Sequence, residues 1–457
     1  MALAEAIAEL EGVLGARLST ARAERDQHGR SETWFPDAPP DAVAFPESAQ
    51  EVSEIVKICA RHDVPVTAWG TGTSLEGHAL PIRGGISLDL TRMDRVLEIL
   101  AEDMQVRVQP GITREALNTD LRATGLFFPV DPGANASIGG MAATRASGTT
   151  TVRYGSMRDN VMALEVVMAD GRIIRTGSRA KKTAAGYDLT ALMLGSEGTL
   201  GVITELTLKL HGQPEAISSA VCAFDTLEAA VETVQLTIQM GIPMARIEFV
   251  DDLTAQIFNE ANGTNFPAKP HLLIEFHGSE QAVAEASERF GEVVADMGGA
   301  DFQWATTTEE RNRLWRMRHG AYPATIAHRP GCMGLVTDIC VPISRLAEAV
   351  SATKRDIEAA GLIGPVVGHV GDGNFHSVLL LDPEDADEFK RAKEVAGKMA
   401  ERALAMGGTV TGEHGIGMGK IGYMRAEHGA GWDAMAQIKR ALDPQNILNP
   451  GKVVEQN

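Results

Sequence analysis

A chain of 457 residues, at roughly 150 per domain, has room for two large domains or three smaller ones. Its 42 Lys and Arg stand against 61 Asp and Glu, a net charge of −19, which excludes the basic face that a nucleic-acid binder needs. Hydrophobic residues at 44% and charged residues at 23% exclude a disordered chain. No apolar run reaches the roughly 18 residues of a membrane span.

Four scattered cysteines (Cys59, Cys222, Cys332, Cys340) with no C-x-x-C pair argue against a disulfide framework or a zinc ribbon. Acidic residues run through positions 1–30, unlike a signal or transit peptide. Together these features predict a cytoplasmic protein, peripheral at the inner membrane face at most. The unusual count is glycine, 47 residues where usage near 7% is ordinary.

In chain order, Glu5 to Leu18 has helical spacing and precedes a Pro-rich stretch (Pro36, Pro39, Pro40, Pro46) that is read as lying ahead of the first folded unit. Ser48 to His62 reads as an amphipathic helix whose Ser48 N-cap and Glu51 form a capping box. Val64 to Trp69, Gly85 to Leu90 and Met104 to Val108 read as strands, and Thr113 to Thr124 as a helix. A second mixed segment begins near residue 215. Its strands are Val221 to Phe224 and Leu272 to His277, and its helices Thr226 to Met240 and Glu280 to Met297. Strand, long helix, strand, long helix suggests helices covering one face of an antiparallel sheet, and 263–270 reads as a surface loop.

Three glycine-rich turns mark the first half. Trp69-Gly-Thr-Gly-Thr-Ser-Leu-Glu-Gly77 follows a strand, but Leu75 stands where a dinucleotide fingerprint requires its third glycine, and Pro81 argues against a helix starting there. A tight surface turn would explain it equally well in isolation. The residues 131–143 lead a loop into a small-residue helix with Ser137 as N-cap, so free N–H groups are expected to face an anion. The third, Gly195-Ser-Glu-Gly-Thr-Leu-Gly201, runs straight into the strand Val202 to Leu210. Three such turns without dinucleotide spacing suggest a long, multiply charged cofactor laid across the domain.

The second half carries histidines. In Pro365-Val-Val-Gly-His-Val-Gly-Asp-Gly-Asn-Phe-His-Ser377, Asp-Gly is a favoured two-residue hairpin turn. With Asp372 and Gly373 at its centre, His369 stands opposite His376, with Cβ atoms roughly 5 Å apart on one sheet face. Two imidazoles so placed suit one divalent ion, although a polar sheet face explains them too. Glu413-His414, between glycines and expected to be approached through a short strand, offers a carboxylate ligand and another imidazole. Arginines at 311, 313, 316 and 318 cannot all share one helix face, so at least one should point inward, where arginine suits a carboxylate.

The run Pro65 to Gly77, the segment Pro132 to Gly155 with Arg153-Tyr-Gly155, and 195–201 resemble the FAD-binding domain of the vanillyl-alcohol-oxidase type flavoproteins. Within that superfamily the chain, from about residue 38 to Lys452, is similar to cytochrome-linked, FAD-dependent D-lactate dehydrogenases and to the glycolate oxidase large subunit. The resemblance implies an α+β protein: a flavin domain of two α/β subdomains over 1–215, a substrate cap with an antiparallel sheet over 216–420, and a C-terminal segment, 421–457, returning to the flavin domain. It implies FAD contacts from Gly70, Thr71, Gly72, Thr73, Ser74, Pro132, Gly133, Ser137, Gly139, Gly140, Ala143, Gly148, Tyr154, Gly198, Val202, Ile203 and Asn449. Some relatives attach FAD through a histidine where this chain has Thr73, so non-covalent FAD is implied.

By the same resemblance His369, His376 and Glu413 hold a divalent metal (Zn, Mn or Fe), His414 is the catalytic base, and Arg318 clamps the substrate carboxylate beside Tyr322, with His369 and His414 also at the substrate. The implied activity is oxidation of a D-2-hydroxy acid, foremost D-lactate, with hydride transfer to flavin. Relatives acting on dicarboxylic acids such as D-2-hydroxyglutarate look as if they carry a lysine where this chain has Val336 and a polar residue near Val378, so a small monocarboxylate is implied. The implied partners are that acid and a cytochrome, quinone or electron-transfer flavoprotein, with a homodimer allowed. A metal-dependent hydrolase, a D-2-hydroxyglutarate or glycolate-type dehydrogenase, and a non-catalytic subunit of a larger flavoprotein complex remain open at this point.

Overall fold

The computed structural model describes residues 2–455; Met1, Gln456 and Asn457 lie outside them. The first layer is a four-stranded sheet in the order Leu18–Ser19, Ala42–Ala44, Ile86–Asp89, Val66–Trp69, its last three strands parallel. Helix Ala49–Arg61 covers it because Val52, Ile55, Val56 and Cys59 recur at helical spacing and all are buried. Ser48 caps that helix by accepting the Glu51 N–H. The expected capping box is only half formed: the Glu51 carboxylate takes the Glu47 N–H and the Arg17 guanidinium instead.

The Pro-rich stretch is not a leader to the first unit. It contains the central strand Ala42–Ala44, and helix Ala2–Leu14 buries Ala6, Leu10 and Leu14 in the same core. Three residues of strand between prolines are too short for a periodicity to show.

A second, antiparallel sheet runs Val96–Leu100, Gln105–Val108, Val202–Lys209, Val161–Val167, Ile173–Arg175. The first glycine turn leaves strand Val66–Trp69 of the first sheet and the third enters strand Val202–Lys209 of the second. The third sheet is the largest, with eight strands, all antiparallel: Ala300–Ala305, Ala216–Ala223, His271–Gly278, Met244–Val250, Val366–Gly368, Asn374–Leu381 and Met333–Val336, with Ile339–Cys340 also paired to Asn374–Leu381.

Helices Leu227–Gln239, Glu280–Asp296, Leu346–Ala359 and Ala386–Ala405 pack on one face of that sheet in a single core. In the first of them Leu227, Ala230, Val231 and Val234 form the buried stripe, and Thr226 caps the Ala229 N–H. The strand Met244–Val250, which follows Gly241-Ile-Pro243, escapes a sequence reading because Arg246 and Glu248 interrupt its apolar run, yet it positions the site.

The C-terminal segment returns to the first sheet. Leu448 bridges Val66 in parallel, the Asn449 N–H bonds to Val66, and the buried Lys439 ammonium holds the carbonyls of Thr199 and Leu448.

Candidate active site

One cavity of about 820 Å³ lies between the halves, within the range of about 300–1,000 Å³ of small-molecule sites. The glycine turns make one wall: Gly70, Thr71, Gly72, Thr73 and Ser74 from the first, Pro132, Gly133, Ser137, Gly139, Gly140 and Ala143 from the second, and Gly198, Val202 and Ile203 at the third. The turns close on one another so tightly that a Cβ at Gly70 would stand 2.4 Å from Ser137 Oγ. Backbone and small hydroxyls of these turns therefore face the space, with Trp69, Leu75, His78 and Met141 beside them, a lining that suits a nucleotide.

Three expected contacts stand outside this wall. Tyr154 donates or accepts at 2.7 Å with His277 Nδ1, Gly148 packs against Asp131, and Asn449 Nδ2 donates to the carbonyls of His78 and Glu197. Asn449 thus ties the first turn to the third, while Tyr154 faces the cap sheet. The helix expected to offer free N–H groups, Ile138–Thr144, donates its Ile138 and Gly139 N–H groups to the carbonyls of Ile112 and Pro110. Those two donors are taken by the chain itself.

The other wall carries Arg318, Tyr322, His369, His376, Glu413 and His414. The hairpin does not adopt the expected two-residue turn: Val367, not His369, lies opposite His376, and a 3₁₀ turn over Val370–Asp372 followed by Gly373 makes the connection. The shift is two residues, which preserves side-chain parity, whereas a shift of one would have turned His376 away. His369 stands at the start of the turn and the two rings meet edge to face, centroids 5.5 Å apart. The 409–412 approach to Glu413 is also not a strand; it keeps only a bridge from Thr409 to Cys340.

Glu413 Oε1 lies 3.2 Å from Nε2 of His369, 3.2 Å from Nε2 of His376 and 3.8 Å from Nε2 of His414. Its other oxygen accepts the Ser147 hydroxyl at 2.6 Å. Burial opposes ionisation of Glu413, yet the neighbouring His369 and His376 hold its carboxyl well below the usual range. His369, His376 and Glu413 bring one ligand atom each within 4.8 Å of one another, and neither nitrogen of the buried His376 has a hydrogen-bond partner. A buried imidazole without partners beside a carboxylate is a donor set that fits a divalent ion. The rings of His376 and His414 stack at 4.7 Å, and burial pushes His414 down to about 4, so it is neutral at physiological pH.

Two carboxylates behind these rings escape a sequence reading. Glu248, fully buried on strand Met244–Val250, accepts from His369 Nδ1 at 2.8 Å and pairs ionically with the Arg318 guanidinium at 2.6 Å. Asp338 lies behind His376 and His414. The one available signal is a lone acid inside an apolar run, Ile247-Glu248-Phe249 and Val336-Thr-Asp338-Ile. Of the four arginines, 318 alone is buried, at 7% exposure. The helix breaks at Gly320, and Tyr322 follows on the next helix, Ala321–His328.

A nucleotide-sized cradle facing a carboxylate-and-imidazole cluster defines a flavin-type oxidoreductase site, and similarity to known proteins agrees. Residues 40–177 match the FAD binding domain model and residues 213–453 the model of FAD linked oxidases, C-terminal domain. A probable mitochondrial D-lactate dehydrogenase of Danio rerio is 50% identical over 96% of this chain and 89% of its own length. A mitochondrial D-lactate dehydrogenase [cytochrome] of Arabidopsis thaliana is 44% identical over 98% and 80%, and a glycolate oxidase subunit GlcD of Bacillus subtilis 38% over 91% and 89%. The chain belongs to the FAD-linked oxidases, in the branch that holds these D-lactate dehydrogenases and glycolate oxidase subunits, and it is an FAD-dependent oxidoreductase.

The fold is that of p-cresol methylhydroxylase with substrate bound, with a TM-score of 0.79 at 18% identity, covering 99% of this chain and 96% of that one. The hydrolase reading falls with these matches. So does the cytoplasmic expectation, because the Danio and Arabidopsis relatives are named mitochondrial. Few cysteines indicate a reducing compartment without saying which one. No helix among the described residues is long and apolar enough to cross a membrane.

Proposed function

We propose that this chain oxidises a D-2-hydroxy acid, D-lactate before others, to the 2-oxo acid. The observation that carries the reading is the convergence of three imidazole Nε2 atoms on Glu413 Oε1, in the same cavity as Arg318 and the glycine turns. The D-lactate assignment draws on the names of the Danio and Arabidopsis relatives. Residues 1–215 with the returning 421–457 would hold FAD non-covalently, and 216–420 the substrate.

When bound, FAD supplies the two-electron acceptor, and a divalent ion on His369, His376 and Glu413 supplies Lewis acidity. Two imidazoles and one carboxylate suit Zn, Mn or Fe. Arg318, with its Nε still unpartnered after the bond to Glu248, binds the substrate carboxylate. His414 is neutral and its Nε2 faces the site, so it takes the hydroxyl proton as general base. Val336 and Val378 are paired across two strands and both line the cavity. They give the substrate tail an apolar wall with no partner for a second carboxylate, which favours lactate over a dicarboxylic acid. The Arabidopsis relative's name makes a cytochrome the proposed electron acceptor.

The test is anaerobic bleaching of the flavin absorbance by a panel of D- and L-2-hydroxy acids. D-lactate should reduce it, with L-lactate and D-2-hydroxyglutarate slower; equal reduction by both enantiomers would overturn the reading. His414→Ala should lower the reduction rate about 10²–10⁴-fold with FAD still bound. Normal single-turnover reduction in that variant would remove His414 from the mechanism.

A further inference from the structure

Each of the three imidazoles turns its Nε2 toward Glu413 and its Nδ1 toward a buried carboxylate. For His369 that carboxylate is Glu248. For the other two it is a single residue: Asp338 Oδ1 lies 3.4 Å from His376 Nδ1, and Oδ2 lies 4.0 Å from His414 Nδ1. We propose that Asp338 is the positioning residue of this centre, one oxygen per ring, keeping the proton of both His376 and His414 on Nδ1 and so leaving both Nε2 lone pairs directed into the cavity. The inference rests on the metal-and-base reading above.

Asp338 is 1% exposed and its carboxylate is held from every side. Oδ1 accepts from Asn374 Nδ2 at 2.7 Å; Oδ2 accepts from the Thr411 hydroxyl at 2.7 Å and from the Glu413 and His414 N–H groups at 3.0 and 2.9 Å. Every one of these partners is a donor. Asp338 is therefore ionised, and it also fixes the backbone on which the ligand Glu413 and the base His414 stand. Lys420 continues the arrangement: its ammonium donates to the Asp338 carbonyl at 3.3 Å and lies 3.3 Å from Glu76 Oε1, on the first glycine turn. Glu76 in turn accepts the Met418 N–H through its carbonyl. The metal-and-base loop and the flavin cradle thus share one buried charge node.

At 3.4 and 4.0 Å the ring contacts are electrostatic rather than hydrogen bonds. The sign of the carboxylate still decides the tautomer. An Nδ1 lone pair aimed at an anionic oxygen in a buried site is repelled, and an Nδ1–H is attracted; Glu413 Oε1, 3.2 Å from His376 Nε2 and 3.8 Å from His414 Nε2, draws the protons the other way until a cation bound there offsets its charge. A ring held this way presents a lone pair at Nε2, which a metal ligand and a general base both need.

The experiment is ¹⁵N NMR of histidine-labelled, FAD-loaded enzyme, with and without added zinc, together with metal content after gel filtration. The Nδ1–H tautomer is expected at His376 and His414 in the zinc-loaded wild-type protein; without zinc Glu413 competes for both protons. Asp338→Asn should shift His414 toward a tautomer mixture and lower zinc affinity about 10–100-fold. Thr411→Val removes a donor to the same oxygen but keeps the charge; it should retain both Nδ1–H signals and so separates charge from local loosening. An Nε2–H or doubly protonated His414 in the zinc-loaded wild type overturns the proposal even if Asp338→Asn fails to fold, as does a folded Asp338→Asn with wild-type tautomers and zinc affinity. A protein that takes up no zinc overturns both this assignment and the functional reading, whereas one that shows the expected tautomers with zinc but whose His414→Ala variant reduces flavin normally overturns the functional reading and leaves the assignment of Asp338 standing.

Discussion

Glu248 is fully buried, with Arg318 on one oxygen and His369 Nδ1 within 3.0 Å of both. A carboxylate in that position does two things: it faces the Nδ1 of His369 and it anchors the Arg318 guanidinium that lines the cavity. Glu248→Gln keeps the shape and removes the charge, leaving Arg318 a buried cation without its counterion. Removing one partner of a buried pair costs about 3–5 kcal/mol, so the melting temperature should drop by several degrees. Zinc affinity should fall about 10–100-fold, and KM for the hydroxy acid should rise as Arg318 loosens. An unchanged KM beside lowered metal affinity would restrict the role of Glu248 to His369. The residue types at the cavity, His and Glu in glycine-flanked turns and Arg318 in an arginine-rich helix, can be picked out from the chain because such local contexts are uncommon. The acids behind them cannot, since a Glu or Asp in an apolar run looks the same whether it caps, pairs or positions.

The hairpin from Val366 to Leu381 shows what an element adds. Asp-Gly marks the turn correctly, and the strands on either side form. The register departs from the two-residue turn because Gly373 adopts φ 80° with Val341 O pressed against it, so that a Cβ there would stand 2.2 Å from that oxygen. Turn length is thus set by a neighbouring strand, Ile339–Cys340, and not by the dipeptide. Gly373→Ala combines a left-handed φ with a backbone clash. It should destabilise the protein by about 2 kcal/mol or more and cost metal retention, because His369 and His376 hang on the two sides of that turn. Thermal unfolding and metal content measure both, and an alanine variant with wild-type values would mean the turn relaxes freely.

At the scale of the molecule, the flavin half and the cap are joined by buried charge. Arg246 on the cap sheet reaches Asp131 at 3.0 Å and Glu275 at 3.5 Å, and stacks on Trp315 at 4.4 Å; His277 links Glu275 to Tyr154 of the flavin half. Burial by itself would raise both carboxyls, but Arg246 with His319 holds Asp131 far below its ordinary range, and Arg246 with His277 holds Glu275 at about 2. Both are groups with depressed folded values. Their stabilisation is therefore present above the ordinary carboxylate range and is lost as pH falls through it toward 2. Unfolding at pH 7 and at about pH 2.5 should show a marked acid loss in the wild type and a shallower one in Arg246→Met, which should also be less stable at pH 7 by about 3–5 kcal/mol. Asp131 adjoins Pro132 and Gly133 of the cradle, so the same variant should release FAD more readily on gel filtration. Retention equal to wild type would show that the cradle does not depend on the cap.

The sequence by itself determined the α+β plan, the cradle and the identity of the candidate ligands, because helical stripes, glycine turns and His, Glu and Arg in rare contexts are local signals. It also marked Val336 and Val378 as apolar, and the strand pairing sets them opposite each other. Tertiary structure alone decided the register that brings His369 to His376, the spending of the Ile138 and Gly139 N–H groups on Ile112 and Pro110 respectively, and the use of Glu248 and Asp338 as the backs of the three rings. Each of those depends on groups far apart in the chain, 121 residues between Glu248 and His369 and 76 between Asp338 and His414. No local pattern encodes a distance across such a separation; only the packed sheet does.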